Sequence, residues 1–417
     1  MKVVIIGAGG QGTGLADLLV RERDVDDIVL ADHDVRALDQ AHGTLSSAGA
    51  DIGRIACRRV DAADVDDVAR LISGADVAVN AILPKFNIPI MKACVREAVH
   101  YTDLLALPDA SGTPKEETYS AQLELDDAFR QAGALAIPYV GLAGGWSSLV
   151  VKRAIDGMET VDEVLFYCCA HIDTDEFIAP VAPIVQMSMF FGPPGPLANL
   201  GGVLTTVDLL ASAEDYEFPG PAGKRRVYTM NVLGDIAMIP DFAGKSIRRL
   251  ESKMALGLGR LDTAEIWIKA LARACEKQGH ARTETSIVEA MAEAFVLPTE
   301  YPRLLREGKI RDDHFTVVIE VRGTMDGRPC TSRNWSITTL ESTRRHLPWA
   351  WPAVYSSIGN TPVEYVLAMG RGRIPQRGVR RVTDLDNAAE ILEGVARRGH
   401  VLGEEVLRDV PQGCESR

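Results

Sequence analysis

Residues 1–12 read MKVVIIGAGGQG, an apolar run that passes directly into a glycine-rich turn. The turn has the pattern G-x-G-x-x-G, with Gly7, Gly9 and Gly12 at the spaced positions, and leucines at helical spacing follow it. In a strand–turn–helix context the first glycine permits the tight turn, the second lets a pyrophosphate approach, and the third lets helix and strand pack closely. The N–H groups that open the helix would bind the phosphates. The cofactor-binding candidates here are Gly7, Gly9, Gly10, Gln11 and Gly12.

A second predicted strand ends in Asp32, which lies 20 residues after Gly12. A carboxylate at this distance accepts hydrogen bonds from the hydroxyl groups of an adenosine ribose. It would also repel the additional 2′-phosphate of NADP, and the following residues, His33 and Asp34, provide no arginine to neutralise that phosphate. The sequence therefore predicts NAD binding in preference to NADP.

The composition points to a cytoplasmic protein that acts on small molecules. A chain of 417 residues predicts about two domains. The net charge of −13 would repel nucleic acids and anionic membranes. The seven cysteines form no C-x-x-C pair, so no metal site is predicted, and an odd count without a signal peptide suggests reduced thiols. The apolar stretch 177–191 contains two prolines and is too short to span a bilayer.

Strands and helices alternate through the first third of the chain. This alternation predicts a Rossmann-type, doubly wound parallel sheet, with a ligand crevice at the carboxyl ends of its strands, over residues 1–155. After the strand that ends at Asp32, the pattern predicts strands at 55–60, 76–83, 100–105 and 134–141, and a long helix at 116–131.

The pattern changes after about residue 155. For residues 156–355 we predict an α+β domain that binds the substrate and forms a dimer. This domain should contain an antiparallel hairpin between about 314 and 340. We expect residues 356–417 to form helices that return to the dinucleotide domain. Other predicted elements of this region are a glycine- and proline-rich loop at 193–202 and helices at 262–278 and 283–296.

The segments GLAGGWSSL at 141–149 and HYTD at 100–103 resemble motifs of the saccharopine dehydrogenase-like family, which includes lysine 6-dehydrogenase, saccharopine reductase and carboxynorspermidine synthase relatives. Residues 141–149, GLAGGWSSL, resemble the family's G-L-x-P-G-x-S-N-L, with Gly144 at the usual proline and Ser148 at the usual asparagine. The sequence H-Y-T-D at 100–103 resembles the family's H-Y-x-D, and residues 80–94 resemble its N-x-x-P and (N)-x-P-V-x-x-A-C segments. Residues 360–362, 370–378 and 398–400 resemble the closing part of lysine-type members.

The resemblance implies an oxidoreductase that transfers a hydride between nicotinamide and the CH–NH group of an amino acid or polyamine-like substrate, and it implies a homodimer. One alternative is a reductive condensing enzyme that joins an amine to a carbonyl compound and reduces the imine. Another is a dinucleotide-binding sensor without turnover. The cofactor carries the hydride chemistry, so the protein contributes mainly by positioning the reactants.

Further cofactor-binding candidates follow the strands of the predicted sheet. Asp61 and Ala62 follow strand three and would face the adenine, although Asp61 is equally interpretable as a helix N-cap. Asn80, Ala81 and Pro84 follow strand four and would border the nicotinamide ribose, with a strand-end cap as the alternative for Asn80. Gly144 in the later turn is also a candidate.

The catalytic candidates are Asp103, Lys85 and His171. Asp103 ends strand five, where its carboxylate would hold an ammonium group or accept its proton, and a structural role in the loop below is the alternative. Lys85 would act as a general base or lie exposed, and His171 would act in catalysis or satisfy a local hydrogen bond. Trp146 would cover the nicotinamide or pack between domains. The arginines Arg322 and Arg333 would bind a substrate carboxylate or remain solvated.

Overall fold

The computed structural model describes residues 1–107, 114–181, 183–191, 195–231, 238–240, 243–255, 295–296 and 300–408. Its strands form two sheets. The first contains β1 (Lys2–Ile6), β2 (Asp27–Asp32), β3 (Ile55–Arg59), β4 (Val77–Asn80), β5 (His100–Asp103), β6 (Leu135–Ile137) and β15 (Gly378–Val379). The second contains β7 (Thr160–Thr174), β8 (Leu197–Leu200), β9 (Val203–Thr206), β10 (Glu214–Phe218), β11 (Gly223–Thr229), β12 (Arg249–Ala255), β13 (Ile310–Met325), β14 (Arg328–Thr339) and β16 (Val401–Arg408).

The helices pack on the faces of these sheets. In the first half of the chain they are α1 (Gly10–Val20), α2 (Val35–Ser47), α3 (Val65–Ile72), α4 (Asn87–Glu97), α5 (Tyr119–Leu123), α6 (Asp126–Gln131), α7 (Ser147–Asp156) and α8 (Pro183–Phe191). In the second half they are α9 (Tyr301–Arg306), α10 (Leu340–His346), α11 (Pro352–Ile358), α12 (Thr361–Gly370) and α13 (Ala388–Arg397).

The first sheet is parallel throughout and has the order β15-β6-β5-β4-β1-β2-β3. Both of its faces are covered. Along β1, Val3 and Ile5 pack in one apolar cluster, and Val4 and Ile6 pack in another. Because strand side chains alternate between faces, an uninterrupted apolar run suits a strand that is buried on both sides. The predicted doubly wound parallel sheet is confirmed.

The C-terminal segment contributes to the first sheet. Residues 378 and 379 form β15, which pairs in parallel with β6 and extends the sheet at its edge. Helix α12 ends at Gly370 beside the side chain of Met1 and begins at Thr361, whose hydroxyl donates to the carbonyl oxygen of Val140. It therefore runs antiparallel to the strands and begins at the crevice end. The domain boundaries near residues 155 and 356 stay a prediction.

The second sheet is mixed and has the order β10-β11-β12-β7-β13-β14-β16, with the β8–β9 hairpin beside β12. Its pairs are antiparallel except for β12 with β7. The predicted hairpin between 314 and 340 is longer than expected and comprises all of β13 and β14. Its two-residue turn, Asp326-Gly327, has φ values of +53° and +69°, as a hairpin turn with the strand twist requires. The predicted second domain is confirmed, and its sheet is antiparallel as expected except for the pair of β12 and β7.

Four predicted elements differ from the structure or lie wholly or mostly outside the described residues. The helix expected at 116–131 is two short helices, α5 and α6, and Asp126 at the start of α6 accepts hydrogen bonds from the N–H of Val379 and from Arg380. The loop expected at 193–202 contains β8, which forms a hairpin with β9 through Gly201 and Gly202, both at positive φ. The helix at 262–278, and all of that at 283–296 except its last two residues, fall outside the described residues.

None of the helices that the structure describes is both long and apolar enough to cross a membrane.

Candidate active site

The three spaced glycines of the N-terminal turn differ in what a side chain at each position would meet. Gly7 has φ +119°, and a Cβ there would lie 2.8 Å from the carbonyl oxygen of Ala81. A Cβ on Gly12 would lie 1.8 Å from the carbonyl oxygen of Gly7, so only glycine lets α1 pack this closely on the turn. Gly9, in contrast, is exposed and has open space where a Cβ would stand. It precedes Gly10, the first residue of α1, so this space lies at the helix N-terminus. This is the arrangement that a pyrophosphate needs.

The turn and the end of β2 are joined by Asp32. Its Oδ2 accepts a hydrogen bond from the N–H of Ala8 at 2.8 Å, and its Oδ1 accepts one from the N–H of Asp34 at 3.0 Å. The ring Nδ1 of His33 lies 2.9 Å from the same Oδ1. A carboxylate has about four acceptor sites, so it can still accept hydrogen bonds from ribose hydroxyls. The residues that would hold a dinucleotide therefore fit that group.

Asp61 and Ala62 lie in the turn between β3 and α3. Asp61 is exposed, and its Oδ1 accepts a hydrogen bond from the N–H of Ala63 at 2.9 Å. The helix-cap interpretation of Asp61 is wrong, because the side chain of Asp64 caps α3 by accepting from the N–H groups of Asp66 and Asp67. Contact of Asp61 and Ala62 with adenine stays a prediction.

A buried polar network begins at the carboxyl end of β4. The Oδ1 of Asn80 accepts from the N–H of Ile82, and its Nδ2 donates to the Oδ1 of Asn87 at 2.6 Å. The amide of Asn87 donates in turn to the carbonyl oxygen of Leu105. The Asn80 side chain is thus used inside the protein, as a strand-end cap would be. Contact of the backbone at Asn80, Ala81 and Pro84 with the nicotinamide ribose stays a prediction.

The same network surrounds Asp103, which is only 1% exposed. Its Oδ2 accepts from the hydroxyl of Tyr101 at 2.9 Å and from the amide of Gln122 at 2.6 Å. Its Oδ1 accepts from the backbone N–H of Tyr139 at 2.9 Å. Burial raises the pKa of Asp103 to about 6, although these hydrogen bonds act in the opposite direction. The expectation that this carboxylate projects into the crevice needs correction, since these donors hold it beneath the crevice floor.

The turn after β6 lies directly above this carboxylate. Tyr139 has φ +60°, a left-handed conformation that few residues other than glycine adopt. Gly144 has φ +83°, and a Cβ there would lie 2.1 Å from Cδ1 of the Tyr139 ring. The N–H of Gly144 donates to Oγ of Ser147, which begins α7. Trp146 is 1% exposed and packs with the second sheet, which agrees with the packing interpretation.

The other catalytic candidates lie apart from this network. Lys85 is exposed on the short 3-10 helix Pro84–Phe86, and its Nζ lies 5.0 Å from the centre of the Phe86 ring. His171 is on β7 of the second sheet. Its neighbour Ile172 packs in the apolar cluster that contains Leu15 of α1, so His171 lies on the opposite face, turned away from the dinucleotide turn.

His171 packs against another histidine. Its ring centre lies 5.1 Å from that of His314, its register partner on β13. Burial and the nearby Arg225 lower the pKa of His171. The structure therefore does not bring His171 and Asp103 together within one chain.

The arginines of the hairpin are held in ion pairs. Arg322 pairs with Glu163 and Glu320, and Arg333 pairs with Glu320 and Glu405. Arg333 also donates to the hydroxyl of Tyr216. These contacts favour a structural interpretation of both arginines over substrate binding.

Sequence reasoning missed Asn87, Gln122 and Tyr139, which hold the two ends of the buried network. Asn87 lies inside the N-x-P segment that carried the resemblance, so its position in the motif was a usable signal. No local signal marks Gln122 or Tyr139, because their contacts to Asp103 join residues 19 and 36 positions apart.

Comparison with known proteins agrees with this geometry. Residues 3–137 match the family model described as the saccharopine dehydrogenase NADP binding domain. The chain is similar to the carboxyaminopropylagmatine dehydrogenase of Synechocystis sp., with 31% identity over 169 residues, 39% of this chain and 41% of that protein. It is also similar to the carboxynorspermidine synthase of Vibrio cholerae, with 29% identity over 174 residues, 39% of this chain and 42% of that protein. The similarity spans about two fifths of the length of these relatives.

Among solved structures, this chain is similar to the apo saccharopine dehydrogenase (L-Glu forming) of Saccharomyces cerevisiae, with a TM-score of 0.64 and 15% sequence identity. The superposition covers 97% of this chain and 99% of the yeast chain. The protein is thus a two-sheet α/β protein whose N-terminal sheet has the dinucleotide-binding fold. That N-terminal part is a dinucleotide-binding domain of the saccharopine dehydrogenase type, and the described residues share the fold of the yeast protein. The resemblance to the saccharopine dehydrogenase-like family is confirmed.

Proposed function

We propose that this protein is an NAD-dependent oxidoreductase that acts on the CH–NH group of an amino acid or polyamine-like substrate. The observation that carries the proposal is the open helix N-terminus at Gly9 and Gly10, with Asp32 fixed beside it. The names of the two curated relatives, a dehydrogenase and a synthase of carboxylated polyamines, support an amine as the substrate.

The cofactor would be held by the glycine turn, the N–H groups of α1 and the carboxylate of Asp32. When bound, it supplies the hydride chemistry, and the residues of this chain bind and orient the reactants. We propose NAD rather than NADP although the description of the matching family model names NADP. Support comes from Asp32, because a carboxylate held at this point repels a 2′-phosphate.

Asp103 remains our first candidate for proton handling. Its pKa of about 6 is close to neutral, so it can hold a proton at physiological pH more readily than an ordinary aspartate. Direct contact with an amine would require the segment around Tyr139 to move. Without that movement Asp103 is a positioning residue for Tyr139. Lys85, which is exposed at the crevice, is the next candidate.

The second candidate function is reductive condensation of an amine with a carbonyl compound, and it is favoured by the similarity to a carboxynorspermidine synthase. Absorbance at the NADH band tests both. A panel of amino acids and polyamines with NAD should produce NADH if the protein is a dehydrogenase. Amines mixed with oxo acids should consume NADH only if it is a condensing enzyme. Binding of NAD without turnover in either panel would instead support a sensor.

A further inference from the structure

A basic residue lies beside the end of β2 on the neighbouring strand. Asp32, the last residue of β2, is in register with Arg59, the last residue of β3. Neighbouring strands lie about 4.8 Å apart, so the backbones of these two residues are adjacent. The residues that follow Asp32 along the chain include no arginine before Arg36, but the fold places one directly beside it.

Asp32 and Arg59 project from the same face of the sheet. Leu30 on β2 and Ile55 on β3 both pack in the apolar cluster that contains the buried residues of α1. Because strand side chains alternate between faces, Asp32 has the orientation of Leu30, and Arg59 has that of Ile55. The carboxylate and the guanidinium therefore leave the two strands on the side of the sheet where the glycine turn begins α1.

Arg59 also lies within electrostatic reach of the turn after β3. The pKa of Asp67 is lowered most by the hydrogen bond from the N–H of Asp61, and in smaller part by the charge of Arg59. Asp61 is the residue that we expect to contact the adenine. Arg59 thus lies between the predicted ribose site at Asp32 and the predicted adenine site at Asp61, where the 2′ position of an adenosine would be.

The side chain of Arg59 is available to a ligand. It is exposed, and no ion pair or hydrogen bond holds it within the described part of the chain. Arg36, at the start of α2, is in contrast paired with Asp34. A guanidinium presents its N–H donors in a planar fork that matches two oxygens of a phosphate. At this position it would offset part of the repulsion that Asp32 exerts on a 2′-phosphate.

We propose that Arg59 is a specificity-determining residue of the cofactor site and binds the 2′-phosphate of a phosphorylated dinucleotide, so that the protein accepts NADP as a second, weaker ligand. Asp32 sets the preference for NAD, and Arg59 limits the size of that preference. This inference rests on the proposed function for the place of the cofactor, and it names the residue that governs the choice between two cofactors.

Calorimetric titration of NAD and NADP at low ionic strength tests the assignment. R59M should weaken NADP by roughly tenfold and leave the affinity for NAD within about twofold of wild type, which also shows that the variant is folded. R59K should cause a smaller loss, because an ammonium group keeps the charge without the fork.

The matched control is R58M, which removes the same charge from the next position of β3. Arg58 is exposed like Arg59, but its register partner Ala31 packs in the apolar cluster on the opposite face of the sheet. R58M should therefore leave both affinities within about twofold of wild type. An equal loss of NADP affinity in R59M and R58M would show a general effect of charge and would overturn the assignment.

Two cofactor fragments locate the contact. The probes are adenosine 2′,5′-bisphosphate and 5′-AMP, which differ in the 2′-phosphate alone. R59M should weaken the first and not the second, and added KCl should reduce the difference because an exposed ion pair is screened by salt. Equal weakening of both fragments would place Arg59 against the adenine or the 5′-phosphate and would overturn the inference.

The outcomes separate this inference from the proposed function. Arg59-dependent binding of NADP with no turnover of any amine would contradict the proposed function and support the inference. Oxidation of amines with NAD by a protein in which R59M and R58M bind NADP alike would do the reverse. A wild-type protein that binds NAD but does not bind NADP at millimolar concentration would also overturn the inference.

Discussion

The backbone N–H of Tyr139 donates to the Oδ1 of Asp103 across 2.9 Å, and Tyr139 at the same time holds a left-handed φ of +60°. A left-handed tyrosine costs about 1 kcal/mol or more, so surrounding interactions must compensate for it. The buried carboxylate provides one of them. Because the ring of Tyr139 occupies the space that a side chain at Gly144 would need, the ionisation of Asp103 is linked to the conformation of the turn after β6.

Replacement of Asp103 by asparagine should lower kcat/KM by about 100-fold or more while NAD binding survives. The variant keeps an oxygen for the Tyr139 N–H. A flip of the Gln122 amide presents its Oε1, which has no partner among the described residues, to the new amide. Steady-state kinetics between pH 5 and pH 9 measure the effect.

The pH profile distinguishes the two roles of Asp103. If its carboxylate accepts a substrate proton, the wild-type kcat/KM falls below about pH 6 and D103N loses that limb. If it only positions Tyr139, D103N retains turnover within a few-fold of wild type, which would contradict the catalytic assignment and direct attention to Lys85.

Asp103 should also make the protein less stable as the pH rises. Its folded pKa of about 6 lies above the ordinary value of 3.8, so in this interval the folded state binds the proton more tightly than the unfolded state. The free energy of unfolding therefore falls as the pH rises towards 6 and is constant above it. In urea unfolding, the free energy of unfolding of the wild type should be about 1 kcal/mol lower at pH 7 than at pH 5. D103N should not show this difference. The exposed-site control D39N should retain the drop.

NAD should bind at least about tenfold more tightly than NADP, because Asp32 bonds to the ribose hydroxyls of the first and repels the phosphate of the second. D32A should reduce the difference between the affinities for NAD and NADP, mainly by weakening the binding of NAD. Direct titration of both cofactors measures this, and D39A removes the same charge from the exposed face of α2 as a control. Equal or tighter binding of NADP to the wild type would contradict the proposal.

Alanine at Gly9 and at Gly12 should have opposite consequences. G12A places a Cβ against the carbonyl oxygen of Gly7 and should lower the free energy of unfolding by about 1–3 kcal/mol. In G9A the new Cβ meets no neighbouring atom, so the free energy of unfolding should be nearly unchanged. NAD binding should nevertheless be weaker, because the Cβ enters the space that the pyrophosphate would occupy. Thermal unfolding and cofactor titration of both variants separate packing from binding. Loss of stability in G9A with normal cofactor affinity would refute this division of roles.

We predict that the protein is a homodimer in which the second sheet contributes to the interface. Strand β16 forms one edge of that sheet and exposes Val406 and Leu407, 44% and 50% accessible. Exposed apolar edge strands tend to pair with another chain. Light scattering at micromolar concentration should give twice the chain mass, and V406K/L407K should reduce it, whereas V203K on the β8–β9 hairpin should not. A monomeric wild type would count against the dimer.

Local patterns predicted the dinucleotide turn well, because the tight contact that requires Gly12 is with Gly7 in the same turn, although Gly7 itself lies against Ala81 after β4. The same is true of Asp32, whose partners are Ala8 and Asp34. The orientation of Asp103 could not be predicted. Its position at a strand end is a local property, but its direction is set by donors on α5 and after β6, which the chain brings together only when it folds.

Strand β15 joins the dinucleotide-binding sheet from residues 378 and 379, far from the other six strands in sequence. During synthesis at about 5–20 residues per second, β6 therefore emerges long before its outer neighbour exists. For that interval the nascent sheet ends in an unpaired parallel strand, a surface on which chaperones and neighbouring chains can act. The N-terminal third, although it carries the whole glycine motif, cannot complete its own edge until nearly all of the polypeptide has been made.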